Sequence, residues 1–132
     1  MFDVFFQCFD ELNADENFEV LKQKAPHAQR VDNIVGIHNA HKYSAEQSTT
    51  DLFYLVDGDS RIRDDFEFEY EGFDNKVYVW KAIDGVYGYP TYHGGLKLFP
   101  KNIVLNAGDW GEKYLDSTLT ISDMTHERVN KI

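Results

Sequence analysis

The sequence predicts an α/β domain, and three features carry that expectation. Met1 to Phe9 is a nearly continuous apolar run, Leu52-Phe53-Tyr54-Leu55-Val56 is another, and helix-compatible segments lie between them. An unbroken apolar run suits a strand covered on both faces of a parallel or mixed sheet, whereas a half-exposed strand alternates. Strands alternating with helices early, then mostly strands and loops, describe a layered α/β chain.

In order along the chain, Met1 to Phe9 is the first strand. Asn13 or Asp15 caps a helix over Glu16 to Lys24, with Phe18, Leu21 and Val20 inward, and Pro26 stops it. Arg30-Val31 begins a short strand, and Gly36 marks a turn into a helix from Ile37 to Ser48. Ile37, Ala40, Ser44, Ala45 and Ser48 recur there at helical spacing and make a small-residue face that can lie close to a sheet. Leu52 to Val56 is the strongest strand signal and runs directly into Asp57-Gly58-Asp59. Phe66, Phe68 and Tyr70 alternate with Glu67, Glu69 and Glu71, which predicts a strand with one wet face; Val77 to Ala82 continues in that style. Gly85 to Gly95 reads as loop, Leu96 to Pro100 as a strand, Asn102 to Asn106 and Thr118 to Ile121 as weak elements, and Asp123 to Ile132 as a helix-compatible arm.

Composition narrows the classes. A length of 132 residues with 42% hydrophobic content and 10 Phe, 8 Tyr and 2 Trp supports one core, so a single domain over 1–132 is expected. No stretch suits a membrane helix, and a cytoplasmic protein is expected. The single cysteine, Cys8, lies in an apolar run and is expected to be a buried, inert thiol. A net charge of −10 repels polyanions, which makes nucleic acid an unexpected partner. An acidic chain still accommodates a sugar diphosphate if a divalent cation neutralises the phosphates.

Asp57-Gly58-Asp59 is the candidate for that cation. Two carboxylates flanking a glycine at a strand end can converge on Mg2+ or Mn2+, and the missing Gly58 side chain leaves room for a phosphate or ion at the backbone. An EF-hand is excluded, because Arg61, Ile62 and Phe68 occupy the fifth, sixth and twelfth loop positions. Neither a Walker A sequence nor G-x-G-x-x-G is present.

The set Phe2-Asp3-Val4-Phe5-Phe6, Asn13 to Asn17, Gly36 to Ala45 and Thr50 to Asp59, with Gly94 to Pro100 as a later segment, resembles the GT-A glycosyltransferases, particularly short phage-encoded forms. The resemblance implies a GT-A-like (Rossmann-like) three-layer domain, minimal or truncated, with a central mostly parallel mixed sheet. Residues 1–60 would form the nucleotide-binding half and 61–132 a reduced acceptor half. It further implies a hexosyltransferase-type enzyme with a nucleotide-sugar donor, UDP-sugar foremost. Asp10, Glu11 and Asn13 would lie near the base, and Gly36 to His41 beside ribose and pyrophosphate, with His38 or His41 as hydrogen-bond donors. Asp59 would ligate Mn2+ or Mg2+, Asp57 would contact metal-bound water or ribose, and His93 would be a third ligand. Asp109 is the candidate general base toward an unknown hydroxyl acceptor; Tyr92 and Trp110 would stack on a sugar or belong to the core. Lys97, on an apolar strand, is assigned no chemistry. Alternatives are a non-catalytic nucleotide-sugar-binding or protein-interaction module, a homo-oligomer completing a short chain, and a nucleotidyltransferase on a related fold.

Overall fold

The computed structural model describes residues 1–72, 76–84, 90–91, 95–106 and 118–128. Its first half is built on β1 (Asp3–Cys8), which is paired in parallel with β2 (Gln29–Asp32) on one side and β3 (Leu52–Asp57) on the other. Central position explains the apolar runs: both faces of β1 and β3 are covered, so neither alternates. The sheet continues from β3 through β7 (Leu96–Pro100), β5 (Val77–Asp84) and β8 (Thr118–Arg128) to β4 (Ser60–Ile62), with β6 (Pro90–Thr91) paired to β5. The expected mixed sheet is therefore present. Parallel pairing joins β2, β1 and β3 and recurs between β5 and β8, while the remaining described pairs are antiparallel.

Only Gly58 and Asp59 separate β3 from β4, yet β4 closes the opposite end of the strand order. The sheet must curl to bring that edge back beside the end of β3.

Helices cover both faces. Helix α1 (Ala14–Lys24) packs on the side of Val4, Phe6, Tyr54, Val56 and Trp80. Helices α2 (Ile37–Gln47) and α3 (Lys101–Leu105) pack on the side of Phe5, Phe53, Leu55 and Phe99. Each of these buried side chains contributes on the order of 1.5–3 kcal/mol of transfer free energy. Acidic Asp15 and Glu16 in the first turn of α1 and Lys22 and Lys24 in its last complement the helix dipole.

Several local expectations change. Helix α1 turns Ala14, Asn17 and Leu21 inward, and Val20 stays half-exposed because it borders an open cavity beside Arg61, Ile62 and Glu127. On α2 the small residues Ala40, Ser44, Ala45 and Ser48 are buried as expected, but Ile37, in the first turn, is 69% exposed. Residues 63–72 form no strand. Phe66 and Phe68 instead pack down onto the α1 side of the sheet, against Trp80 and Tyr54, so alternation records one-sided packing without ladder pairing. The Tyr54 hydroxyl ties this strap to Tyr70, donating to its carbonyl (3.4 Å) and accepting from its N–H (3.2 Å). Residues 123–128, read as helix-compatible, belong to β8, because β5 and β4 offer pairing on both sides.

Candidate functional site

The carboxyl ends of β1, β2 and β3 lie side by side, with Cys8 opposite Asp32 and Gln7 opposite Asp57. The loop leaving β1 is held by Glu11, whose Oε2 accepts from the N–H groups of Phe9 (2.7 Å) and Asp10 (3.2 Å). The same carboxylate rests on Gly58: a Cβ there would lie 2.8 Å from both Glu11 Oε2 and Cys8 Cβ. The room expected at Gly58 for a phosphate or cation is thus filled by the chain's own side chains. Asn17 Nδ2 donates to the Gly58 carbonyl (2.9 Å) and fixes the turn from α1. Asn13 is buried at the start of α1, where its carbonyl accepts from Asn17 N–H (2.9 Å).

Beside this loop, Cys8 Sγ donates to Asp32 Oδ1 (2.6 Å), and Arg30 donates to Asp32 (2.8 Å) and Asp15 (2.6 Å) while lying over the Phe18 ring. Burial, followed by Asp32, pushes the Cys8 thiol up to about 12, so it is protonated and inert, as expected. Hydrogen bonds from Cys8 and then Arg30 hold the Asp32 carboxyl below its usual range. An open cavity of about 420 Å3 lies between the β1–α1 loop, including Asp10 and Glu11, and the end of β2.

Asp57 and Asp59 are half-buried on either side of Gly58. The Asp57 N–H donates to the Gly95 carbonyl (2.7 Å), and Gly95 N–H donates to His126 Nε2 (2.8 Å). His126 is 0% exposed. Because a backbone N–H occupies Nε2, the neutral ring carries its proton on Nδ1 and donates it to Thr125 Oγ1 (3.0 Å). Gly95 is required for contact: a Cβ would stand 2.0 Å from Ser60 Oγ and 3.1 Å from Asp57 Cβ.

Gly36 sits at φ 92°, a left-handed conformation that favours glycine, and precedes α2. His41, expected beside ribose and pyrophosphate, is 4% exposed and packs its ring 4.9 Å from that of Phe99. Burial, then the charge of Lys97 and His38, pushes it down to about 3, so it is neutral and part of the core. His93, Asp109, Tyr92 and Trp110 lie outside the described residues. Among the described residues no three His, Cys, Asp or Glu side chains converge to hold a metal. The Asp57 and Asp59 pair still fits the chemistry of Mg2+ or Mn2+ bound through one or two carboxylates together with substrate phosphates and water.

No family model and no curated protein matches the chain. Solved structures do. HddC from Yersinia pseudotuberculosis complexed with GMP-PN superimposes with TM-score 0.61 at 10% identity, over 92% of this chain and 91% of that chain. A glycosyltransferase involved in glycosylation of the major capsid of PBCV-1 gives TM-score 0.56 at 8% identity, over 95% and 92%. The fold is GT-A-like. The inositol-1-phosphate CTP transferase from T. maritima shares it, with TM-score 0.53 and 13% identity over 97% of this chain and 70% of that one. No helix among the described residues is long and apolar enough to cross a membrane.

Within this GT-A-like fold, Asp10, Glu11, Asn13, Asp57 and Asp59 gather around the ends of β1 and β3, Gly36 leads into α2, and His41 turns into the core. Asn17, Asp32 and His126 carry no local sequence signal, since each acts on a partner distant in the chain.

Proposed function

We propose that the chain is a metal-dependent glycosyltransferase that moves a sugar from a nucleotide-sugar donor, a UDP-sugar foremost, to a hydroxyl acceptor. The observation that carries the reading is the Asp57-Gly58-Asp59 turn at the carboxyl end of β3 in a GT-A-like sheet, where α/β sheets gather ligands. Asp59 ligates Mn2+ or Mg2+, and Asp57 binds metal-bound water or ribose. When bound, the metal supplies Lewis-acid stabilisation of the leaving diphosphate. Asp10, on the exposed loop, reads the base edge; Glu11 and Asn13 hold that loop and the start of α1 in shape. Gly36 permits the turn into α2, and His41 supports the layer beneath. His93 is the candidate third ligand and Asp109 the candidate base toward the acceptor.

Calorimetric titration with UDP, GDP and their sugars, with and without Mn2+, tests the reading. Metal-enhanced binding that falls at least about a hundredfold in the Asp57→Ala, Asp59→Ala double variant is expected. No nucleotide binding under any condition overturns it and leaves an interaction protein. The CTP transferase of like fold makes nucleotidyl transfer the second reading, distinguished by release of pyrophosphate in place of nucleoside diphosphate.

A further inference from the structure

The antiparallel ladder between β3 and β7 reaches one step beyond the Val56–Leu96 pair, where Asp57 faces Gly95. Facing residues of a hydrogen-bonded rung normally exchange two bonds. Here the exchange is one-sided. The Asp57 N–H donates to the Gly95 carbonyl (2.7 Å), whereas the Gly95 N–H donates to His126 Nε2 (2.8 Å). A side chain of β8 has taken half of the rung, although β8 pairs with β5 and β4 and with neither β3 nor β7 among the described strands.

The His126 ring is itself fixed. It lies opposite Ile62 of β4 and Ala82 of β5, so paired strands flank its backbone on both sides. Its Nδ1–H donates to Thr125 Oγ1 (3.0 Å), which sets the tautomer and the ring's rotation and leaves Nε2 as an acceptor. Gly95, the group it holds, is wedged between the residues on either side of Gly58-Asp59: a Cβ there would stand 3.1 Å from Asp57 Cβ and 2.0 Å from Ser60 Oγ. Ser60 is buried and its Oγ has no hydrogen-bond partner among the described residues, so it meets Gly95 by packing alone. The bond to His126 is what fastens Gly95 from the far side.

We propose that His126 is a positioning residue for the carboxylates of Asp57 and Asp59: by fastening Gly95 it sets the directions in which the two side chains leave the turn. The role rests on the donor reading above and deepens it, because it makes metal binding at the turn depend on β8. Ligating side chains must be held within about 0.5 Å of the productive geometry by the groups behind them. Loss of such a supporting group typically costs about 10- to 100-fold in metal affinity.

Electron paramagnetic resonance of Mn2+, with and without UDP, tests the role in wild type, His126→Leu, His126→Gln and Val104→Ala. Gln can bring its Oε1 near the position of Nε2 and accept the Gly95 N–H; Leu cannot. Val104→Ala opens the core on the α2 side and controls for lost stability alone. Thermal melts establish that each variant is folded at the titration temperature. Mn2+ affinity is expected to fall at least about tenfold in His126→Leu, to return to within about threefold of wild type in His126→Gln, and to stay unchanged in Val104→Ala. Wild-type affinity in folded His126→Leu overturns the positioning role and leaves the donor reading standing, as does an equal loss in Val104→Ala. If His126→Leu does not fold, Thr125→Val decides, because it keeps the ring and removes the partner of Nδ1. A loss of about threefold is then expected, and unaltered affinity overturns the role. No Mn2+ binding by wild type, with or without UDP, overturns the donor reading and the role together.

Discussion

Asp57 stands between two regions that differ in how fully their polar groups are matched. On the α1 side, Glu11, Cys8, Asp32, Arg30 and Asn17 bond to one another or to backbone, and Gly58 is packed from above. On the α2 side, Gln7 Oε1 has no partner and Lys97 no carboxylate among the described residues. Buried polar groups are normally matched, because each unmatched one costs roughly 1–3 kcal/mol. The first region is held in shape by its own bonds, whereas the second leaves the Gln7 amide oxygen without a partner among the described residues.

Acid should expose the largest contrast. His41 is held neutral in the fold near pKa 3 but titrates near 6.5 when unfolded. The unfolded chain therefore binds the extra proton between those values, so this contribution is complete above about pH 6.5 and declines as pH falls toward 3. Its slope approaches about 1.4 kcal/mol per pH unit. Urea melts of wild type and His41→Leu across that range should diverge in slope; parallel curves would break the assignment of His41 to the core.

Gly95→Ala probes the seam between the regions. The 2.0 Å approach to Ser60 Oγ forces a shift of backbone that also bonds Asp57, and a loss of about 1–3 kcal/mol is expected. Thermal melting reads the loss, and unaltered stability would mean that the seam is loose. The smallest effect belongs to Arg30→Ala, because its partners Asp15 and Asp32 are 89% and 48% exposed. Such pairs contribute less than about 1 kcal/mol and weaken with salt. A greater loss that persists at high salt would sharpen the view that Arg30 acts by packing on Phe18.

The elements legible in the sequence were those set by nearby residues. Leu52 to Val56 is read as a strand because both its faces are buried, and the α2 small-residue face is read from its spacing. Phe66 and Phe68 mislead, since a side-chain period reports which face is wet and not whether the backbone finds a ladder partner. Strand β8 was weak in the sequence because its partner β5 is remote. In the site, the Asp57-Gly58-Asp59 turn stands out because its residues are consecutive. The Asn17–Gly58 bond spans 41 positions and the Gly95–His126 bond 31, so neither leaves a local pattern.

The short link from β3 to β4 has a consequence for the order in which the chain assembles. Strand β4 pairs only with β8 among the described strands, Ser60 lying opposite Arg128. Closing the curl therefore waits for the most distant contacts in the described chain, and such contacts form late and slowly. Gly58 and Asp59 make up that link, so the strand that follows Asp59 takes its place at the sheet's far edge only when β8 docks.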